Sequence, residues 1–120
     1  MVEERRLGKI EISPTAIASI ASQAVLECYG VVGMTSRTLR NGLAEILHPA
    51  DSHRRGVEVE LIEDQIIIGL YVIIEYGVRV SEVAHNIMES VKFNVENALG
   101  VPVAEVNVHV QGLRMSDRGQ

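Results

Sequence analysis

The chain has 120 residues, a formal net charge of −5 and an aromatic fraction of only 3%. This length fits one domain, which buries roughly two-thirds of the surface of the unfolded chain. The acidic balance argues against a non-specific nucleic-acid binder and against adsorption to an anionic membrane. The single cysteine excludes an internal disulfide and a four-cysteine zinc site, and it fits a reducing cytoplasm.

The sequence pattern predicts neither a signal peptide nor a membrane anchor. Residues 1–9 are charged, with no apolar run behind them. The longest apolar stretch, residues 66–74, is about half the length that a membrane-spanning helix needs. It is also rich in β-branched residues, which favours a strand. We therefore expect a cytoplasmic protein without direct membrane insertion.

The first elements in chain order are a strand, a helix and a short strand. Residues 8–12 alternate in polarity, as a half-buried strand does. Ser13 then suits the N-cap of a helix, and Pro14 suits its first position. Gly30 is a natural stop for this helix, and residues 31–34 follow as a strand. The apolar stripe of the helix is predicted to be Ile17, Ile20, Ala21, Ala24, Val25 and Cys28.

Residues 35–55 are the least regular part of the sequence. A short amphipathic helix is predicted from the spacing of Leu39, Leu43, Ile46 and Leu47, although Gly42 weakens it. The segment is locally basic within an acidic chain, and few strong contacts are expected to hold it. We therefore predict that it is the mobile or variably placed part of the molecule.

Two strands joined by a tight turn are predicted next. Residues 57–62 alternate in polarity, and Glu63, Asp64 and Gln65 supply the turn of a hairpin. The following strand, residues 66–76, is apolar on both faces. A strand of this kind is usually central in its sheet and covered on both sides.

The last elements are a long helix and a strand. Ser81 is the expected N-cap of a helix that runs to about Leu99, and Gly100 ends it. Residues 105–111 alternate again, with valines on one face. The stripe of the helix is predicted to be Ala84, Ile87, Met88, Val91, Val95 and Ala98, and the inward residues of the strand Val106, Val108 and Val110.

These elements predict an α+β fold in the order β-α-β-(short α)-β-β-α-β. A small mixed or antiparallel sheet with two main helices packed on one face would bury every apolar stripe. The chain is predicted to be a single domain, residues 1–120, with a core at about 8–113, a variable segment at 35–55 and a frayed tail at 114–120. The opposite face, called here the outer sheet face, is predicted to show Lys9, Glu11, Glu58, Glu60, Asn107, His109 and Gln111, with an apolar patch of Ile67, Tyr71 and Ile73.

The sequence has no recognisable catalytic arrangement. It lacks a G-x-S-x-G nucleophile turn, a phosphate-binding G-x-x-x-x-G-K-[ST] loop and a G-x-G-x-x-G loop. Glu58, Glu60 and His109 would approach one another as metal ligands only if their strands were adjacent, and a solvated strand face explains them more simply. We therefore predict that the chain is not an enzyme and that it holds no cofactor or metal.

Phe93 stands apart from the apolar stripe of the second helix. At 100° per residue it lies roughly opposite the centre of that stripe, among polar neighbours. It is covered by residues 35–55, or it meets a partner chain, or it is simply exposed. We predict that Phe93 is an interface residue, and that Ile67, Tyr71 and Ile73 are interface residues on the outer sheet face. The apolar patch of these three residues on an otherwise polar face predicts a protein that is not monomeric.

Several pieces of the sequence, taken in order, are similar to one known family. They are GKIEIS at residues 8–13, IA at 20–21, GVVGM at 30–34, GVEV at 56–59, VIIEYG at 72–77, VSEVA at 80–84, LGVPV at 99–103 and VNVHV at 106–110. In this combination the chain resembles the bacterial alkaline shock protein family, also called envelope stress response proteins. The resemblance covers residues 8–113.

The resemblance implies a small, non-enzymatic cytoplasmic protein linked to cell-envelope homeostasis. It also implies self-association, recruitment of some members to the membrane by a partner protein, and a link to fatty-acid or lipid metabolism. It carries over no catalytic, cofactor or metal residue. We therefore expect a homo-oligomeric scaffold or adaptor of the envelope stress response, which binds no nucleic acid and has a membrane-anchored protein as a further partner. The alternative is a small-ligand or metal-binding module that uses the outer sheet face.

Overall fold

The computed structural model describes residues 2–5, 7–36 and 56–115. The helix and strand bounds, with the labels used below, are β1 (Val2–Arg5), β2 (Gly8–Glu11), α1 (Pro14–Leu26), β3 (Val31–Met34), β4 (Val57–Ile62), β5 (Gln65–Glu75), α2 (Val80–Leu99) and β6 (Val103–Arg114). The predicted short helix and mobile segment within residues 35–55 fall almost entirely outside the described residues. Most of the predicted tail does too.

The start of α1 follows from its first two residues. Ser13 has extended backbone angles, and its hydroxyl accepts a hydrogen bond from the backbone N–H of Ala16. Pro14 occupies the first turn, where its missing N–H leaves no helical hydrogen bond unmade. The buried side of the helix packs its alanines and two larger residues, Ile17 and Val25, against the sheet.

The β4–β5 hairpin has a two-residue turn. Glu63 and Asp64 both have positive φ, 50° and 66°, which is the geometry that matches the twist of the flanking strands. Ile62 pairs with Gln65 directly beside the turn. The register then alternates β5 side chains between the helices and the outer sheet face.

The sheet is mixed, with β5 at its centre. Along one edge of β5 lie two antiparallel strands, β3 opposite its C-terminal end and β4 opposite its N-terminal end. Along the other edge lies β6, which runs parallel to β5 for the length of the strand. A parallel pair needs a long crossover, and α2 supplies it.

Both helices pack on one face of this sheet, as predicted. The core joins the stripe of α1, the stripe of α2 and the alternate residues of β5 that point towards the helices: Ile66, Ile68, Leu70, Val72 and Ile74. The observed α+β architecture with two helices on a mixed sheet therefore confirms the predicted fold class.

The prediction that residues 8–12 join the main sheet is wrong. β2 pairs instead with β1 in a separate two-stranded antiparallel ribbon, in which Arg5 lies opposite Gly8. The strand is exposed along its length rather than half-buried, and Ile10 exposes 51% of its surface. The neighbouring strand needs only a short loop to pair, so this local pairing carries a small loop-closure entropy.

Details of α2 and its neighbours also differ from the prediction. Arg79, rather than Ser81, holds the N-cap position, and it makes no side-chain capping bond. Val83 belongs to the buried stripe, whereas Met88 and Ala98 are exposed. The C-terminal end is as predicted, because Gly100 adopts the left-handed conformation, with φ of 74°.

Candidate interaction surfaces

The outer sheet face carries a contact network centred on Tyr71. The Tyr71 hydroxyl donates a hydrogen bond to Glu58 Oε1 at 2.9 Å, across the β4–β5 pair. On the other side of β5, the rings of Tyr71 and His109 stack with centroids 4.6 Å apart and planes 12° from parallel. Tyr71 therefore links β4 and β6, two strands that each pair with β5 and not with each other.

The predicted apolar patch on this face is largely covered within the chain. Tyr71 exposes only 7% of its surface and Ile73 none, while Ile67 is half-buried. Ile73 and Gly112 are neighbours in the β5–β6 register. The interface predicted for these three residues stays a prediction, and little of their surface is free in the isolated chain.

The carboxylates and the histidine of the outer sheet face do not form a metal centre in the described part of the chain. Glu58 and Glu60 lie on β4, whereas His109 lies on β6, and β5 separates the two strands. Among the side chains described in residues 7–36 and 56–115, no three His, Cys, Asp or Glu residues converge. The ligand- or metal-binding alternative stays a prediction that no observed contact favours.

Phe93 lies on the solvent side of α2. It exposes 66% of its surface, which makes it one of the most exposed large apolar side chains of the helix pair. Its neighbours one turn away are polar, and include Glu89, Ser90 and Glu96. Of the four residues in the predicted interface, Phe93 is the one that presents a large apolar area to solvent.

A shallow groove of about 320 Å³ runs between the two helices. It is lined by Ser19, Ile20, Gln23, Ala24, Glu27 and Asn94. Gln23 Nε2 donates a hydrogen bond to Glu27 Oε2 at 3.1 Å, so the only ionisable group in this lining already has a partner. One exposed carboxylate does not supply the acid and base pair that most hydrolytic chemistry requires.

Cys28 lies two residues beyond the end of α1 and is half-buried. Its thiol donates to the carbonyl oxygen of Ala24 at 3.3 Å. Burial raises the pKa of this thiol, the hydrogen bond with Ser90 lowers it, and the charge of Glu27 raises it; burial is the largest effect. The thiolate is therefore scarce at neutral pH, and a nucleophilic role has no support here.

Sequence reasoning missed the open edge of β6. The predicted strand, residues 105–111, is shorter than the observed one, and its parallel position beside β5 was not foreseen. In the described residues only β5 pairs with β6, so the opposite edge of this long strand has no neighbouring strand. The alternating valines predict a strand, but a period of two residues does not indicate which edge of the strand remains unpaired in the sheet.

The sequence of the chain is similar to that of one protein family. Residues 2–115 match the model of the alkaline shock protein 23 family, described as having a cell envelope-related function. The chain is 42% identical over 113 residues to the uncharacterized protein YloU of Bacillus subtilis, covering 93% of each chain. It is 37% identical over 108 residues to an uncharacterized protein of Streptococcus pyogenes serotype M6, covering 90% of this chain and 89% of that protein.

A further relative is the uncharacterized protein YqhY of Bacillus subtilis, with 31% identity over 118 residues, 98% of this chain and 86% of that protein. No solved structure matches the chain. Within the described ranges, neither helix is long and apolar enough to span a membrane. From the family match and these relatives, the chain belongs to the alkaline shock protein 23 family, whose function is related to the cell envelope.

Proposed function

We propose that this chain is a non-enzymatic, self-associating scaffold or adaptor protein in the cell-envelope stress response or in envelope homeostasis. Phe93 is the observation that carries the proposal. This aromatic side chain is 66% exposed on the polar side of a helix whose buried stripe is complete without it. Exposed aromatic residues of this kind are the typical anchors of protein interfaces.

Binding is a better account than catalysis of the polar groups that the described residues bring together. Tyr71 contacts both Glu58 and His109 on an open sheet face, and such a network of contacts rigidifies the sheet. The envelope setting comes from the cell envelope-related function of the family. We further propose a cytoplasmic protein that a membrane-anchored protein partner brings to the membrane, with a connection to lipid metabolism.

Self-association is tested by light scattering across a wide dilution range. We expect a mass larger than that of the 13.2 kDa monomer at micromolar concentration. Phe93→Ala should weaken the association by about 30-fold, which corresponds to the ~2 kcal/mol loss typical of a buried interface anchor. Asn97→Ala, one turn away on the same solvent side, is the matched control and should change nothing. A monomeric mass at every concentration would overturn the proposal.

The envelope role is tested in the source cell. A strain that lacks the protein should become more sensitive to inhibitors of cell-wall synthesis, and the wild-type chain should restore resistance. Phe93→Ala at equal abundance should fail to do so, whereas Asn97→Ala should succeed. Equal rescue by both variants would show that the exposed side of α2 has no part in the function.

A further inference from the structure

The strand β6 combines length with an open edge. It spans Val103–Arg114, twelve residues, and in the described part of the chain its only strand partner is β5. Proline and lysine, two residues that commonly protect edge strands, are both missing from the sequence of β6. A bulge between Val110 and Gly112 interrupts it near the C-terminal end, so that residues 105–110 stay regular. Such an edge is a template for pairing with another strand.

The hydrogen bonds around Tyr71 show which backbone groups face the open edge. The N–H of Tyr71 donates to Gly56 and its carbonyl oxygen accepts from Thr35, so both groups point away from β6. The adjacent residues of β5 therefore point their groups towards β6. These adjacent residues are Leu70 and Val72, whose direct partners on β6 are Val108 and Val110. In a parallel pair, a residue forms hydrogen bonds with the two residues that flank its direct partner, and not with the partner itself. The N–H and carbonyl groups of Val108 and Val110 consequently point to the open edge.

The side chains along this edge are apolar on the helix side of the sheet. Val106 and Val108 pack partly against the core. Val110 and Leu113 remain 36% and 48% exposed. A second strand at this edge would cover both residues and satisfy the outward backbone groups at the same time.

We propose that the occupant of this edge is a second copy of the same chain, whose β6 pairs antiparallel with the first around a twofold axis at His109. In this register Val108 lies opposite Val110 of the second copy, and Val110 opposite Val108. These pairs would exchange hydrogen bonds, because both residues point their backbone groups outward. The helix-side row thus places apolar residues opposite apolar residues on both halves of the interface.

Charge complementarity on the outer sheet face selects this register. In the pairing with β5, Glu105 lies opposite Ile67, His109 opposite Tyr71 and Arg114 opposite Glu75. Because the bulge between Val110 and Gly112 takes up one residue of β6, Glu105 and Arg114 are both four β5 residues away from His109. The twofold axis therefore places Glu105 of each copy opposite Arg114 of the other. Arg114 already has an interaction in its own chain. Its guanidinium has five N–H donors and can serve a second carboxylate as well.

The result would be one continuous sheet that runs through two chains, with the helices of both on the same side. This inference rests on the self-association in the proposed function, and it assigns a surface to it. The Phe93 side of α2 remains free in such a dimer, so it supplies a second self-association contact that joins one dimer to another, and this is the contact that Phe93→Ala weakens. A twofold interface closes on itself, so a scaffold needs a second surface of this kind in order to bind anything else.

Disulfide trapping tests the register directly. In a Cys28→Ser background, His109→Cys places two thiols at the twofold axis, where opposite Cα atoms of a non-hydrogen-bonded pair are about 4.5 Å apart. That distance is short enough for a disulfide. Asn107→Cys is the matched control, because its two copies lie four residue steps, about 13 Å, apart. We expect rapid dimer formation on mild oxidation for His109→Cys only. Equal or absent crosslinking of both variants would overturn the register.

A proline at the edge tests the same contact without a new cysteine. Val110→Pro removes an N–H that points to the open edge, a position where an edge strand tolerates proline. Val110→Thr keeps both the N–H and the β-branched shape, and serves as the control. We expect the proline variant to dissociate at a concentration at least 10-fold higher than the threonine variant, with similar circular dichroism. Equal dissociation of the two folded variants would overturn the edge contact.

These experiments distinguish self-association itself from its assignment to the edge of β6. If the wild-type chain is oligomeric but neither His109→Cys nor Val110→Pro behaves as expected, the edge pairing is wrong and self-association stands. If the wild-type chain is monomeric at all concentrations, both are wrong. Hydrogen exchange adds an independent measurement, since the amides of Val108 and Val110 should slow as the concentration rises.

Discussion

The two sides of α2 differ in what their apolar residues do. On the side that faces the sheet, Val83, Ile87, Val91 and Val95 are buried within one core together with α1 and β5. On the other side, Phe93 is the largest side chain of the helix and lies in solvent. The helix thus carries a buried apolar row on one side and, on the opposite side, a large apolar residue that is not part of the core.

This separation is informative because hydrophobicity alone would place Phe93 in the core. A 20-residue helix whose stripe recurs every three or four positions is already anchored along its length. An extra aromatic residue outside the stripe adds no core contact and increases the exposed apolar area. The proposed contact of Phe93 with another chain would cover that area, and substitutions on the two sides should therefore have different effects on stability and association.

The largest expected effect is on the buried side. Ile87→Ala should lower the free energy of unfolding by about 3 kcal/mol, since the site is fully buried and the removed atoms leave a cavity. Met88→Ala, at the next and exposed position, should have a smaller effect. Denaturant unfolding of both variants measures the difference. Similar losses would mean that the two sides of the helix are not distinct in energy.

A second prediction concerns Gly30, which contacts Val83 on the buried side of α2. Gly30 has φ of +88°, and a Cβ built there lies 2.9 Å from Cγ2 of Val83. Gly30→Ala should therefore lower the free energy of unfolding by about 2 kcal/mol, through backbone strain together with displacement of the helix.

The control for this variant is Gly69→Ala. At Gly69 a Cβ would meet no atom closer than 3.7 Å, and no strained φ is involved. Thermal unfolding of the two variants in parallel measures the combined contribution of the positive φ and the close Gly30–Val83 contact. A loss at Gly69 as large as that at Gly30 would remove the special status of Gly30.

Much of this arrangement could be predicted from local pattern. Ser13 and Pro14 predict the start of α1, because the capping hydrogen bond joins Ser13 to a backbone N–H only three residues away. The buried positions of Ile87, Val91 and Val95 in α2 and the outward position of Phe93 follow from a period of 3.6 residues. The hairpin turn at Glu63 and Asp64 lies between two strands whose alternation is visible in the sequence.

The parts that could not be predicted depend on which elements meet in space. The alternation of β2 predicts a strand equally well in the ribbon and in the main sheet, and only the structure shows that β1 is its partner. Arg79, rather than Ser81, is the N-cap because α2 begins at Val80, before the residue whose side chain is best suited to capping. The open edge of β6 depends on the order of strands, which no single-strand pattern specifies.

The next prediction concerns a polar residue close to Phe93. Glu96 Oε2 accepts a hydrogen bond from the backbone N–H of Val103 at 2.8 Å, and so joins α2 to the start of β6. Glu96→Ala should lower the free energy of unfolding by about 1 kcal/mol, because a partly buried N–H loses its acceptor. Glu96→Gln keeps an oxygen at the same place and should stay close to the wild type. Equal losses in a chemical denaturation series would point to charge rather than to the hydrogen bond.

The smallest expected effect on stability belongs to Phe93. Phe93→Ala should change the free energy of unfolding by no more than about 0.5 kcal/mol, because an exposed side chain away from the core leaves no cavity when it is shortened. The unfolding must be measured at a concentration low enough for the wild-type chain to be dissociated, since association stabilises the folded state by mass action. A core role would instead give a loss of about 3–5 kcal/mol. A loss of that size with unchanged oligomer mass would place Phe93 with Ile87 rather than opposite it, and the difference between the two sides of α2 would disappear.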